Sequence, residues 1–599
     1  MSEKVNDSNV AVVNRAERIS SVREMMKQQG IDALLVTDAD PYLSEYPANC
    51  WKERSWLSGF TGSNGVFVVT CDKLLLWTDS RYRLQADIQM RGVQTDIFIS
   101  NDFDDVSHWL RDNLVPGATV AFRGECFSAS RIEKMESKLT GFSFKSADML
   151  SALWHERPKR SSMPFFVFDD KFAGCNAMQK MQLVRSEMTE NKVSALLLTA
   201  LDEVAWLLNV RGTDVAYNPV AEGFLLLTEK KTALFCNEKK CTADLMRYFS
   251  ALDVEVHAES ELKSALERHD GAFWADMNVL NHDLYRLLRG KLIKKGHTPV
   301  CVCKAIKNKT EIAGIENACV KDGVAMVRFN VWLENALEAG ERLTEILLAE
   351  KLRSYRAEQT DFCGESFAPI VAYADHAAIV HYSATSETDA VLRPSGFLLI
   401  DSGGQYSDGT TDITRTFVLG ELTELQRLDY TLVLKGNVAL ASAIFPEKTT
   451  GAHLDVLARQ FLWKNALDYG HGTGHGIGHF LNVHEGPQSI RRDQNAVEIK
   501  PGMLISDEPG VYRPREYGVR LENMILAENH TKSDFGSFFK FRTLTLFPFE
   551  KRAIIISMLS PEEQKWLDDY HAEVYNKLSP YLSENERGWL AERCRWKKQ

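Results

Sequence analysis

The chain has 599 residues, which at roughly 150 residues per domain predicts three or four domains and excludes a single small module. Hydrophobic residues make up 44% and charged residues 26% of the chain, a balance typical of a globular protein that folds over most of its length. The formal net charge of -11 repels phosphate backbones, so nucleic acid is not expected as the main partner.

The cysteines and the N-terminus indicate the compartment. The eleven cysteines are scattered, odd in number and without a C-x-x-C pair, which predicts reduced thiols and neither a disulfide framework nor a zinc site. The N-terminal MSEKVNDSNV has no apolar signal segment, and no run approaches the roughly 18 apolar residues of a membrane span. We therefore expect a cytoplasmic protein with no membrane partner.

Two stretches of the first half resemble each other. VREMMKQQGIDALLVTDAD from Val22 and VRSEMTENKVSALLLTALD from Val184 keep V-R and A-L-L-x-T at a constant offset of 162 residues. Each has helical spacing followed by a polar break and an apolar run typical of a buried strand, and GFLLLTEKKTALF after the second predicts a hairpin. We predict an internal duplication of two α/β domains, residues 1–160 and 161–304.

The pattern changes after Cys301. A short strand is predicted to lead into a long helix from Glu311 to about Leu337, which places the last domain boundary near residue 305. The third domain, residues 305–599, holds most of the Gly-rich and His-rich segments. Its helical tail from Ser560 either caps the domain or packs on a partner subunit.

Acidic residues of the third domain lie in or beside apolar strands. FLLIDSGGQYSDGTTDITRTF predicts a hairpin in which Asp401 and Asp412 face inward, although both also fit ordinary turn aspartates. Glu508 follows a strand in MLISDEPGVY, and Glu522 lies between Arg520 and another apolar run. A buried acid costs several kcal/mol unless it is paired or metal-bound, and an ion pair of Glu522 with Arg520 is the alternative.

The segment GHGTGHGIGHFLNVHEGP contributes His471, His475, His479 and His484. Glycine at every second position argues against a helix, so the first two histidines do not form an H-E-x-x-H zinc helix, which also needs the missing glutamate. We predict an extended backbone lying close to another group. Exposed loop histidines are the alternative.

The acidic residues of the third domain and one histidine of the glycine-rich segment together predict a metal site. The set offers carboxylates and an imidazole that nearly neutralise two divalent cations and leave room for a bridging hydroxide. Oxygen-rich ligation with one nitrogen suits Mn²⁺ or a similar ion better than structural zinc. We therefore predict a two-metal hydrolase whose ligands are Asp401, Asp412, His475, Glu508 and Glu522.

The ordered motifs D-S-G-x-x-Y, T-T-D-x-T-R-T, H-G-T-G-H-G-x-G, D-E-P-G-x-Y and G-x-R-x-E-N resemble the pita-bread metallopeptidases, in particular the three-domain Xaa-Pro aminopeptidases. The spacings agree: eleven residues from Asp401 to Asp412 and fourteen from Glu508 to Glu522. SEY at 44–46, SGFTGSNG at 58–65, WTDSRY at 77–82 and TALDEVAWLLNVRGTDVAYNPV at 199–220 extend the resemblance over nearly the whole chain.

The resemblance implies an α/β (α+β) fold, with two creatinase-like N-terminal domains and a C-terminal pita-bread catalytic domain. It implies release of the N-terminal residue from peptides with proline second, by attack of a metal-bridging hydroxide, and a homodimer. The implied metal ligands are the five residues above, with Asp412 and Glu522 among the bridging groups. His381 and His484 match the catalytic histidines, and Arg81 matches a substrate-contacting arginine.

Several roles and rivals follow from the resemblance. Glu508 is expected to move the proton to the leaving proline nitrogen, His381 and His484 to donate to the oxyanion, and Arg520 to orient a ligating carboxylate. His471 is expected to line the proline pocket or to pack in the core. Prolidase shares the metal ligands but usually has one N-terminal domain, and a non-catalytic binding module would have lost ligands that are intact here.

The sequence also departs from the family pattern. His376 and Ala377 stand where many members have Asn-Gly, Ser383 and Ala384 follow H-Y where Ala-Pro is common, and His479 replaces a small polar residue. None of these positions is an expected ligand. We expect them to bear on subsite preference and pH profile.

Overall fold

A computed structural model describes residues 2–100, 102–493 and 495–595. The chain divides into two compact units, the first comprising residues 1–168 and 175–300 and the second residues 169–174 and 301–599. No helix within these described ranges is long and apolar enough to cross a membrane.

The first unit contains two six-stranded sheets, and the first of these has the spatial order β4-β3-β2-β1-β5-β6. Its strands are β1 (Ala33–Val36), β2 (Val66–Thr70), β3 (Leu74–Thr78), β4 (Asp96–Ile99), β5 (Thr119–Phe122) and β6 (Ser143–Ser146). The helices of this module are α1 (Ser2–Gln29), α2 (Glu53–Ser58), α3 (Arg83–Gln89), α4 (Asp104–Asn113) and α5 (Ala129–Lys138). The central β1 pairs antiparallel with β2 and parallel with β5.

The second sheet has the order β12-β11-β10-β8-β13-β14. Its module contains β7 (Phe166–Val167), β8 (Ala195–Leu198), β9 (Val210–Arg211), β10 (Gly223–Thr228), β11 (Thr232–Cys236), β12 (Val254–Ala258), β13 (Phe273–Ala275) and β14 (Leu292–Lys295). The helices are α6 (Asp170–Ala173, in the second unit), α7 (Ala177–Glu190), α8 (Leu201–Leu208), α9 (Ala243–Ala251), α10 (Leu262–Arg268) and α11 (His282–Leu288). The strand pairing at its centre repeats that of the first sheet, because β8 pairs antiparallel with β10 and parallel with β13, as β1 pairs with β2 and β5.

The described part of the second unit contains one six-stranded sheet and three smaller ones, with the orders β21-β28-β27-β24-β22-β23, β15-β18-β19, β16-β17-β20 and β25-β26. Its first strands are β15 (Phe362–Glu365), β16 (Ile370–Tyr373), β17 (Phe397–Ser402), β18 (Gly404–Tyr406), β19 (Gly409–Thr410), β20 (Ile413–Val418) and β21 (Ile444–Pro446). The remaining strands are β22 (Gly474–Gly476), β23 (Glu485–Ile490), β24 (Leu504–Asp507), β25 (Gly510–Arg513), β26 (Tyr517–Arg520), β27 (Asn523–Ser533) and β28 (Gly536–Thr543).

The helices here are α12 (Pro299–Ala305, which begins in the first unit), α13 (Lys309–Glu338), α14 (Glu345–Ala357), α15 (Glu424–Ala441), α16 (Gly451–Trp463), α17 (Pro561–Leu578) and α18 (Glu584–Cys594). The short strand predicted after Cys301 was wrong, because α12 occupies that stretch. The long helix α13 begins two residues before the predicted start, because the Asn308 side chain accepts hydrogen bonds from the N–H groups of Thr310 and Glu311. Glu311 bonds back to the Asn308 N–H and completes a capping box.

The C-terminal tail packs on its own domain. Leu567, Val574 and Leu578 of α17 are 0% exposed and belong to the same apolar cluster as Phe329 of α13 and Phe397 of β17. Of the two alternatives left by the sequence, the structure shows the tail capping the domain. Its inward face is therefore occupied within one chain.

Candidate metal centre

The ends of paired strands bring the acidic residues together. Asp401, near the end of β17, has Thr414 of β20 as its Cα partner, and Asp412 immediately precedes β20. Glu508 follows β24 and Glu522 precedes β27, two strands that pair antiparallel. The Glu522 N–H donates to the Thr414 carbonyl over 3.0 Å, which joins the two sheets at this edge.

Glycine allows the strand of His475 to lie close to its neighbours. A Cβ on Gly474 would lie 1.8 Å from the Ser506 carbonyl oxygen, and one on Gly476 would lie 2.3 Å from the Glu485 carbonyl oxygen. Any other residue at these two positions would push the strands apart. The alternating glycines therefore correspond to a strand in close contact, as the pattern predicted.

The ring of His475 is oriented for ligation. Its Nδ1 donates to the Gly476 carbonyl over 2.9 Å, so its Nε2 faces the carboxylates of Asp412 and Glu508 at 3.5 and 3.4 Å. One ligand atom each from Asp412, His475 and Glu522 lies within 4.8 Å of the others. A lone pair that faces carboxylate oxygens in this way fits a cation between them.

The charge balance of the cluster also fits a cation. Asp412 and Glu522 are only 4% and 2% exposed. Burial first, and then repulsion from the neighbouring carboxylates, holds the pKa of both groups well above the ordinary range. Asp401 Oδ1 is buried without a hydrogen-bond partner among the described residues. The donor set of four carboxylates and one imidazole therefore fits two divalent cations.

Arg520 is bound to Asp401. Its Nη2 donates to Asp401 Oδ2 over 2.7 Å, and its Nη1 donates to the Tyr512 hydroxyl over 2.8 Å. Glu522 Oε2 instead accepts from the Thr414 hydroxyl over 2.8 Å. The direct ion pair of Arg520 is thus with Asp401, and the alternative explanation of Glu522 as its partner was wrong.

Two of the predicted histidines lie beside this cluster. The ring of His484 packs edge-on against His475, with centroids 4.3 Å apart. His471 Nε2 lies 2.8 Å from the Tyr512 hydroxyl, and its Nδ1 lies 3.9 Å from Glu508 Oε2. Because Tyr512 accepts from Arg520, its hydroxyl proton is available to His471.

His381 and Arg81, the other two predicted residues, lie on a segment beside β26 and in the first unit, respectively. His381 follows a short turn, residues 374–378, that packs against β26. A Cβ on Gly518 of β26 would lie 1.8 Å from the Ala377 carbonyl oxygen, so the turn and the strand are in close contact. Arg81 lies in the first unit, where its guanidinium donates to Asp79 over 2.8 and 2.7 Å. Its role stays a prediction.

Sequence reasoning missed two residues at the centre. Asp507 is fully buried, both of its carboxylate oxygens lack a hydrogen-bond partner among the described residues, and burial followed by repulsion from Glu522 and Glu508 raises its pKa. Asn437 of α15 donates to the carbonyls of Asp507 and Leu521, at 2.9 and 3.3 Å. Asp507 stands in the D-E-P-G motif, whereas no local pattern marks the asparagine.

Comparison with known proteins decides the family. Family models match the Creatinase/Prolidase N-terminal domain at residues 18–153 and 156–311, metallopeptidase family M24 at 313–529 and the C-terminal region of peptidase M24 at 537–596. A probable Xaa-Pro aminopeptidase P of Laccaria bicolor is 37% identical over 98% of this chain and 94% of its own length. The chain belongs to the Xaa-Pro aminopeptidase P family.

Other relatives agree. A probable Xaa-Pro aminopeptidase P of Sordaria macrospora is 36% identical over 96% of this chain and 98% of its own length. The crystal structure of an X-prolyl aminopeptidase from Caenorhabditis elegans, described as a cytosolic enzyme with a di-nuclear active site, matches with a TM-score of 0.93 and 32% identity, over 97% of this chain and 99% of that one. The predicted fold class and the predicted metallopeptidase family are confirmed.

Proposed function

We propose that this protein hydrolyses the bond before proline and releases the N-terminal residue of peptides with proline in the second position. Two divalent cations, Mn²⁺ in the cell, would be held by the ligands Asp401, Asp412, His475, Glu508 and Glu522. The observation that carries this proposal is the buried carboxylate and imidazole cluster, in which Asp412, His475 and Glu522 offer ligand atoms within 4.8 Å of one another. Membership of the Xaa-Pro aminopeptidase P family supports the substrate class.

The bond before proline has no N–H, so an enzyme cannot grip that group. Bound cations would supply the Lewis acidity that activates water and polarises the scissile carbonyl. Glu508, whose Oε1 accepts from the Ser506 hydroxyl over 3.1 Å, accepts the proton of the attacking water and delivers it to the leaving proline nitrogen.

The histidines act on the carbonyl oxygen. His484 lies against His475, and with His381 it donates to the oxygen on which negative charge develops, a role typically worth a few kcal/mol of barrier. Arg520 orients Asp401 by a hydrogen bond and also donates to the Tyr512 hydroxyl, which in turn is hydrogen-bonded to the His471 ring. We include His471 in the proline pocket.

Some features rest on resemblance more than on contacts. We propose that Arg81 binds substrate, that the enzyme is a cytosolic homodimer, and that its domains are residues 1–160, 161–304 and 305–599. The described cytosolic location of the Caenorhabditis elegans enzyme supports the compartment. Limited proteolysis tests the boundaries, and light scattering tests the dimer.

Mass spectrometry of products tests the activity. The protein is incubated with an Xaa-Pro-Yaa tripeptide and with the matching Xaa-Pro dipeptide, with Mn²⁺ or with chelator. Release of Xaa from the tripeptide that the chelator abolishes is expected. Cleavage of the dipeptide alone identifies a prolidase, and no cleavage of either identifies a binding module. A Glu522→Gln variant is expected to be inactive, whereas Glu447→Gln, at an exposed glutamate, is the matched control.

A further inference from the structure

A buried carboxylate lies under the segment that carries His381. Glu345, the first residue of α14, is 0% exposed. Its oxygens accept hydrogen bonds at 2.8 to 3.1 Å from the backbone N–H groups of Tyr373 and Ala390, the Tyr382 hydroxyl and the His376 ring. All four donors belong to residues 373–390, so this carboxylate gathers the whole segment around one buried point.

Among the four donors to Glu345, the His376 ring is the one that can carry a full positive charge. Its Nδ1 lies 2.9 and 3.1 Å from the two Glu345 oxygens, and its ring stacks on Tyr382 with centroids 4.5 Å apart. Tyr382 is buried and follows His381 directly in the chain. The His376 and Glu345 pair therefore holds the neighbour of His381 by stacking and by hydrogen bonding.

The same turn also packs against β26, the strand that carries Arg520. The Ala377 carbonyl lies against Gly518 of β26, where no side chain larger than hydrogen fits. That strand ends at Arg520, which binds Asp401 over 2.7 Å. Movement of the turn is thus limited on one side by Glu345 and on the other by a strand of the metal centre.

The charges around His376 favour its protonated form. The hydrogen bond with Glu345 is the largest effect and, with the nearby Asp375, raises the pKa of His376 against the opposing effect of burial. The turn packs on β16, β17, β25 and β26. The ionisable side chains on these strands are hydrogen-bonded to partners other than His376. These are Tyr373 with Ser395, Asp401 with Arg520, Tyr512 with Arg520, and Arg513 and Tyr517 with Asp429.

We propose that His376 is a positioning residue, whose imidazolium neutralises Glu345 and so holds residues 373–390 in the arrangement that presents His381 to the substrate. This inference rests on the proposed function. The pair is complete below the pKa of the ring and is lost as pH rises through it, because deprotonation leaves a buried carboxylate without its cation. The hold on His381 then weakens at alkaline pH.

The pH dependence of kcat/KM tests the proposal in metal-saturated enzyme with an Xaa-Pro-Yaa tripeptide. His376→Asn keeps a donor but no charge, so we expect a loss of about tenfold near pH 6.5 that shrinks toward pH 9. His376→Arg keeps a permanent charge, so we expect activity near wild type without that alkaline decline. His453→Asn, at a histidine that accepts from the Thr450 N–H, is the matched control and should follow wild type.

A second readout does not depend on catalysis. Histidine-labelled protein is titrated by NMR, and the His376 signal is assigned by its loss in His376→Asn. We expect the ring to titrate above its ordinary value in wild type and lower in Glu345→Gln. Absence of tripeptide cleavage by wild type would overturn the proposed function without touching this titration. Equal titration in both proteins, or wild-type pH profiles in both His376 variants, would overturn the positioning role.

Discussion

In the first unit, the ammonium of Lys240 lies against the carboxylate of Asp214, and both side chains are at most 1% exposed. In the second unit, Asp412 and Glu522 are as deeply buried, yet they lie beside each other and their pKa values are raised. A buried pair of opposite charge joins parts of a fold, whereas a buried group of like charges is costly until a cation arrives. The comparison separates buried charge that serves structure from buried charge that serves a ligand.

The largest expected effect is at the metal centre. Asp412→Asn removes one of the clustered charges, so we expect kcat/KM to fall by about a thousandfold and metal affinity to fall with it, through loss of a ligand. In chelator, however, the variant should unfold at a higher temperature than wild type, because repulsion between buried carboxylates is relieved. Differential scanning calorimetry with and without Mn²⁺ measures this.

A second aspartate variant is the control for the stability change of Asp412→Asn. Asp408→Asn, at a buried aspartate that pairs with Lys321 at 2.8 Å, should lower the unfolding temperature with or without metal. Lower stability of Asp412→Asn in chelator would contradict the comparison.

The next effect is in the first unit. Lys240→Met leaves Asp214 buried without its cation, so we expect a loss of about 3–5 kcal/mol in the free energy of unfolding. The double variant Lys240→Met, Asp214→Asn should recover most of that loss, since the amide is uncharged and its oxygen still accepts from the Glu222 N–H. Urea denaturation measures both. Equal losses in the single and double variants would show that the pair does not act through charge.

A smaller effect concerns acid stability in the second unit. His571 is 0% exposed and its Nε2 accepts from the Phe549 N–H over 3.1 Å. Burial first, then the Lys551 and Arg415 charges, lowers its pKa to about 3. The unfolded chain binds the proton near pH 6.5, so stability is lost as pH falls below that value.

This pH dependence is tested by substitution. His571→Gln keeps an acceptor but does not titrate. Between pH 7 and 5, wild type should lose about 2 kcal/mol more unfolding free energy than the variant. Parallel curves would contradict the assignment.

The smallest effect is in the first unit, where Asp40 makes the free energy of unfolding fall as pH rises, opposite to the effect of His571. Asp40 is fully buried and its Oδ1 accepts from the N–H groups of Tyr42 and Ser44, and burial raises its pKa to about 6. The folded chain holds this proton more tightly than the unfolded chain, so its contribution is present at low pH and lost as pH rises through 6. Asp40→Asn should gain about 1 kcal/mol relative to wild type between pH 5 and 7.5.

Chemical denaturation at the two pH values measures this difference. A constant difference between variant and wild type would show that Asp40 is ionised throughout. Together with His571, the result separates the acid responses of the two units.

Much of the fold follows from local pattern. The apolar runs around Asp401 and Asp412 predicted a hairpin, and β17 pairs with β20. Alternating glycines predicted extended backbone at His475, and the strand β22 lies there. Each depends on the alternation of residues along a short stretch, which the sequence shows directly. The long helix α13 was predicted for the same reason.

The missing parts depend on residues far apart in the chain. His376 was noted only as a departure from a family pattern, because its partner Glu345 lies in a different helix. Asn437 lies on α15 with no neighbouring signal, yet it donates to the residues before Glu508 and Glu522. Long-range hydrogen bonds leave no period in the sequence, so they were not predicted.

The sequence by itself determined the residue types of the buried carboxylate and imidazole cluster, their order along the chain and the strands in or beside which they lie, because alternation and glycine spacing are local properties. Only the tertiary structure decided that Arg520 binds Asp401, that His475 turns its Nε2 to the carboxylates, and that His376 covers Glu345. The physical reason is distance, since hydrogen bonds and buried charges act over a few ångströms between strands that only folding brings together.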